Sequence, residues 1–217
     1  MKNTLLGLVA FISLFGAVSS QAATKETGEC YWIRDYLTPV ADFPQKGILF
    51  QWYANLLKEP RAFHNAIQEF TKQYRGYNLD AIVGLDSRGF IFGAALAYEL
   101  KVPFVLVRKP GKLPSKVERI DYVLEYGTNS FEIEVDSLKP YDRVLIIDDV
   151  LATGGTVRAA SALVERLGAE VVEIACLIEI SPLQGRKKIK APVYSLLTVD
   201  GEKNNPPAHV MEINHSK

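Results

Sequence analysis

The stretch Arg143-Val144-Leu145-Ile146-Ile147-Asp148-Asp149-Val150-Leu151-Ala152-Thr153-Gly154-Gly155-Thr156 restricts what this chain can fold into more than any other. Residues 144–147 are apolar and mostly β-branched, which suits a strand covered on both faces. Two carboxylates, Asp148 and Asp149, stand at its C-terminal end, and a loop of small residues follows. Val157, Ala160, Val164 and Leu167 then recur at helical spacing, with Gly168 placed as a stop. In open α/β sheets, ligands bind beyond the carboxyl ends of the strands, where these acids fall. Adjacent carboxylates there can accept hydrogen bonds from vicinal hydroxyls. Small residues at Ala152, Thr153, Gly154, Gly155 and Thr156 let backbone N–H groups close on an anion at a helix N-terminus. The unit therefore suits a sugar phosphate; the plainer alternative is an ordinary strand-to-helix connection with a polar tip. No Gly-Lys-Ser/Thr ends it, as in a Walker loop, and the Gly-x-Gly-x-x-Gly spacing of a dinucleotide site is absent.

Similar units recur along the chain. Glu59-Pro60-Arg61 opens a predicted helix running to about Tyr74, with Phe63, Ile67 and Phe70 as its apolar stripe. Residues 80–85 read as a strand, 89–100 as an alanine-rich helix and 102–107 as a strand. Residues 110–127 begin as a Gly/Pro-bounded loop with charges in the middle, and 131–135 alternate with period two. Residues 171–180 and 192–197 close the series as strands. Alternating strands and helices predict an α/β fold with a mostly parallel sheet flanked by helices. One domain over residues 31–200 accounts for the pattern, followed by a polar tail at 201–217.

Formal charge is balanced across the 217 residues, so no basic field points to nucleic acid. Met1-Lys2, an apolar run over residues 5–18, and Ser20-Gln21-Ala22 form the pattern of a secretory signal peptide at 1–22, too short to span a membrane. Cleavage would export the protein to a periplasmic or extracellular space. Cys176 sits in an apolar strand and Cys30 in the N-terminal approach, with nothing to set them side by side. These two and the three scattered histidines do not make a zinc site.

The acid-pair segment resembles the phosphoribosyl pyrophosphate (PRPP) signature of the type I phosphoribosyltransferases. Three further blocks make the chain similar to their adenine branch. They are Asp42-Phe43-Pro44-Gln45-Lys46-Gly47-Ile48, Gly84-Leu85-Asp86-Ser87-Arg88-Gly89-Phe90, and Arg108-Lys109-Pro110-Gly111-Lys112-Leu113-Pro114 with Leu124-Glu125-Tyr126-Gly127. The likeness spans roughly residues 36–197. It implies a small N-terminal hood and a mobile lid loop, a homodimer, and conversion of adenine and PRPP to AMP and pyrophosphate with magnesium bound alongside PRPP. It implies cytoplasmic residence where no leader is cleaved.

The resemblance also assigns roles. Arg88, Arg108, Lys109 and Lys112 would meet pyrophosphate, some from a neighbouring subunit, and the Asp86–Ser87 peptide would be cis. Asp148 and Asp149 would hold the ribose, and Ala152, Thr153, Gly154, Gly155 and Thr156 the 5′-phosphate. Glu125 would handle the purine N7 proton, with Tyr126 beside it, and Ile48, Leu49, Phe50 and Gln51 would border the base. The chain departs from the family at that border. Lys46 replaces a proline, and Gln51-Trp52 replace an arginine and an aspartate. A phosphoribosyltransferase of altered base specificity, or an exported nucleotide-binding protein without activity, are the alternatives this departure raises.

Overall fold

A computed structural model describes residues 30–42, 49–124 and 127–200. A 3-10 helix (Tyr31–Tyr36) leads into strands β1 (Thr38–Ala41) and β2 (Leu49–Trp52), then helices α1 (Ala54–Lys58) and α2 (Pro60–Tyr74). Strand β3 (Ala81–Leu85), helix α3 (Gly89–Leu100) and strand β4 (Phe104–Val107) follow. Next come β5 (Val117–Leu124), β6 (Gly127–Glu134), β7 (Arg143–Leu151), α4 (Gly155–Arg166) and β8 (Glu170–Ile180). Two short 3-10 turns, Ser181–Leu183 and Gly185–Lys188, precede β9 (Val193–Val199). The expected signal peptide, Lys46, Ile48, Glu125, Tyr126 and the tail at 201–217 lie outside the described residues.

The predicted α/β architecture holds. Five strands in the order β4-β3-β7-β8-β9 pair in parallel throughout. Such a sheet needs cover on both faces, and its strands supply apolar side chains to both. Ile82, Leu145, Ile147 and Leu177 pack with α1, α2 and α3 on one side. Val83, Val144, Ile146 and Cys176 pack with α4 on the other. Cys30 belongs to the first cluster and Cys176 to the second, and no disulfide joins them.

Local chemistry explains the helices. Pro60 stands at the start of α2, and the Glu59 carboxylate accepts the Arg61 N–H at 3.3 Å. Ala62, Ala66, Phe70 and Tyr74 form the buried face of that helix. Gly168 takes φ +85 just beyond α4, as a helix stop requires.

Residues 110–116 are loop, as read; the charged middle of that segment differs. From Val117 onward it is β5, paired antiparallel with β6 from Val117↔Glu134 to Leu124↔Gly127. The physical reason lies in its partner. An alternating strand such as β6 leaves a row of amides unpaired, and β5 satisfies them. Charges at Glu118, Arg119 and Asp121 masked the strand; Arg119 binds Asp121 at 3.1 Å along β5 and Ser130 at 3.0 Å across the hairpin. Among the described residues no helix is long and apolar enough to cross a membrane.

Candidate active site

Strand order locates the site. From β3 the chain crosses through α3 to β4 on one side, while β7 lies on the other. The order reverses between β3 and β7, so a crevice opens beyond their carboxyl ends. Asp86 follows β3, and Asp148 and Asp149 lie near the end of β7, where pairing continues to Leu151↔Glu179. Gly89 lets α3 start against β7. A Cβ there would stand 2.6 Å from the Ile147 carbonyl oxygen and 3.2 Å from Asp148 Oδ1, so any side chain would drive the helix away.

Asp149 is the best-held group in the crevice. It is 2% exposed, and its Oδ2 accepts the Tyr53 hydroxyl at 2.9 Å and the Arg88 Nε–H. Burial works against the Arg88 charge, but the Asp149 carboxylate outweighs it and raises the guanidinium pKa. Arg88 also lies over the Phe50 ring, 5.6 Å from its centroid, which ties the hood to the crevice. Asp148 keeps part of its surface open and accepts the Asp149 N–H at 2.9 Å through Oδ1. Desolvation, and then the neighbouring Asp149 charge, push its carboxyl well above the ordinary range.

A second cation group forms on Asp86. Its Oδ2 accepts the Arg108 Nε–H at 3.2 Å and the Lys109 backbone N–H at 3.3 Å. The Asp86–Ser87 peptide is cis, as the resemblance implied. Arg108 is half-buried beside the Phe90 ring, 5.8 Å from its centroid; Lys109 and Lys112 are exposed.

The small-residue loop completes the crevice. Ala152, Thr153, Gly155 and Thr156 are half-buried, while Gly154 is buried at φ +82 and α4 begins at Gly155. The first-turn N–H groups of α4 are therefore left for an anion. Tyr122 of β5 reaches this loop. Burial raises its hydroxyl pKa, and the nearby Thr156 side chain opposes the rise. Its ring packs on Phe131 with centroids 5.2 Å apart.

At the expected base border, Leu49 is exposed, Phe50 half-buried and Gln51 buried. Trp52 is 41% exposed and packs against the rings of Phe50 and Tyr53, so it is an outer plate of the hood. Arg88, Phe50 and Asp149 are thus brought together, Arg108 and Lys109 form a neighbouring group, and Lys112 stands toward solvent. Sequence reasoning missed Tyr53. It meets Asp149 from a position 96 residues away, and no local pattern signals that contact.

Among the described residues no group of three or more His, Cys, Asp or Glu side chains could hold a metal ion. The half-open Asp148 carboxylate offers a hard oxygen and suits a magnesium ion that takes most of its ligands from a phosphorylated substrate.

A family model for the phosphoribosyl transferase domain matches residues 53–211. An adenine phosphoribosyltransferase of Syntrophotalea carbinolica is 48% identical over 166 residues, covering 76% of this chain and 97% of that protein. The crystal structure of adenine phosphoribosyltransferase from Thermoanaerobacter pseudethanolicus superposes with a TM-score of 0.75 at 45% identity, over 77% of this chain and 98% of that one. The Saccharomyces cerevisiae enzyme, solved with an imino-altritol bisphosphate and adenine, gives 0.74 at 39% identity, over 78% and 98%. With a crevice at the sheet's switch point and likeness of this extent, the chain belongs to the adenine phosphoribosyltransferase family.

Proposed function

We propose that this chain transfers the 5-phosphoribosyl group of PRPP to adenine, releasing AMP and pyrophosphate. One observation carries the assignment of roles: an amide-rich loop, an acid pair and two arginines converge where the strand order reverses. The loop from Ala152 to Thr156 grips the 5′-phosphate with its N–H groups and the Thr153 and Thr156 hydroxyls. Binding energy taken there orients the anomeric carbon. Arg88 and Arg108, each now resting on an aspartate, are the donors for pyrophosphate, with Lys109 and Lys112 reaching it from the exposed turn.

Asp148 presents its open side to the ribose hydroxyls and favours the positive charge that develops on the ring. Asp149 sits behind it and holds Arg88 and Tyr53. Adenine N9 forms its bond to C1′ as the C1′–O bond to pyrophosphate breaks. Glu125 takes the N7 proton, a role that rests on the sequence resemblance alone. Magnesium, bound with PRPP, would neutralise charge on the leaving group.

Two statements about the whole protein belong to the same reading. The chain acts as a homodimer; exposed Ile91 and Tyr98 on α3 and Leu106 on β4 support a contact there. Its apolar leader directs export. The deciding experiment is an assay of leaderless protein with PRPP, magnesium and a panel of purine bases. AMP formed from adenine in preference to hypoxanthine or guanine is expected. No product from any base would overturn the proposal, and preference for another base would assign altered specificity to Gln51 and Trp52.

A further inference from the structure

The geometry points to the β8–β9 connection as the rear wall of the phosphate loop, with Gly185, Arg186 and Glu179 as positioning residues for the sugar 5′-phosphate. The inference rests on the reading of residues 152–156 as that phosphate's site. Gly185 is buried directly behind the loop. A Cβ added to it would stand 2.2 Å from the Ala152 carbonyl oxygen and 3.0 Å from the Gly154 nitrogen. The contact is reciprocal. A Cβ on Gly154 would meet the Gly185 carbonyl oxygen at 2.8 Å. Two backbone segments therefore lie against each other with no room for a side chain, and the φ of +82 at Gly154 is kept in place from behind.

The wall is itself anchored. Arg186, one residue on, donates from Nε to both oxygens of Glu179, at 3.0 and 3.2 Å, and from Nη2 to Glu179 Oε2. Its Nη1 donates to the Val193 carbonyl oxygen at the start of β9. Glu179 is 5% exposed, pairs in register with Leu151, the residue before the loop, and accepts the Ser195 hydroxyl at 3.3 Å. One guanidinium thus ties the loop's own strand neighbour, the next strand and the wall into a single body. A fork of this kind fixes direction as well as distance, which a lysine cannot do. Neither Arg186 nor Glu179 has any other evident part in the transfer, because both lie behind the loop.

Gly185→Ala and Arg186→Met test the wall, read by calorimetry with two probes in magnesium buffer, ribose 5-phosphate and pyrophosphate. Ribose 5-phosphate should bind about 10- to 100-fold more weakly, the scale expected for a displacement near 1 Å. Pyrophosphate affinity should stay within about twofold. In turnover, the KM for PRPP should rise while that for adenine stays level. Arg186→Lys, which keeps the charge beside Glu179, should fall between wild type and Arg186→Met and guards against a result due to a bare buried carboxylate. Thr156→Ala is run in parallel. If Thr156→Ala weakens ribose 5-phosphate and the wall variants do not, the wall has no positioning role. If neither does, the phosphate-loop reading fails and the inference with it. Equal loss for both probes, tracking a lower melting temperature, would reduce the pair to a structural ion bridge and also overturn the inference.

Discussion

Tyr53→Phe removes one hydroxyl from the centre of the site and leaves the ring. Tyr53 is 1% exposed, and its hydroxyl donates to Asp149 Oδ2 at 2.9 Å. Burial, and then the Asp149 charge, push the pKa of this hydroxyl upward, so it remains a donor across the working pH range. A hydrogen bond to a charged acceptor contributes about 1.5–3 kcal/mol. The phenylalanine ring would keep its packing on Phe92, at 5.7 Å between centroids, and on Trp52, at 5.8 Å, so no cavity opens. Arg88 stays on the same oxygen, which keeps the carboxylate from being left bare and favours the lower part of the range, about 1.5–2 kcal/mol. For a domain of this size each kcal/mol moves the melting temperature by about 2–4 °C, giving a fall of about 3–8 °C. Calorimetric melts of the ligand-free protein at neutral pH read this directly, and kcat/KM for PRPP should drop by up to about tenfold as Asp149 loosens. A variant that melts within about 1 °C of wild type and keeps its kcat/KM would refute the claim that this hydroxyl holds the acid in place.

Asp148→Asn should separate stability from activity. A carboxyl whose pKa is raised in the folded state gives stability that is complete below its ordinary value, about 3.9, and is lost as pH rises through the raised value. Above that ordinary value the raised pKa opposes folding, so Asp148→Asn should melt higher than wild type at pH 7, with the gain shrinking toward pH 4, while turnover falls; a lower melting temperature at pH 7 would contradict the assignment. Arg108→Met should raise the KM for pyrophosphate in the reverse reaction by about tenfold or more and leave that for AMP nearly unchanged, measured by initial rates. Mass spectrometry of protein recovered from a fractionated secreting host should show a mature chain beginning at Ala23; intact Met1-Lys2 on active cytoplasmic protein would remove the export reading.

Local sequence carried most of the scaffold. Pro60 starts α2, Gly168 ends α4, and the apolar run before Asp148 is β7, because each depends on neighbours within a turn or on the period of a strand. The acid pair, the small-residue loop and the Asp86-Ser87-Arg88 turn were legible for the same reason: in an α/β unit, residues at strand ends share the ligand face. The hairpin of β5 and β6 was half legible. Its wet alternation in β6 was visible, but the partner strand was hidden by charges that serve cross-strand bonds.

What the sequence could not determine is who meets whom across the fold. Tyr53 on Asp149, Arg88 on that same oxygen, and Gly185 behind Gly154 join positions far apart along the chain, and such contacts leave no period or cap to read. Only the assembled parallel sheet, which brings β3, β7 and β8 side by side and seats the hood over their ends, decided which aspartate is enclosed and which stays open to a substrate. The chemistry of the residues was written locally; their division of labour came from burial, which tertiary packing alone distributes.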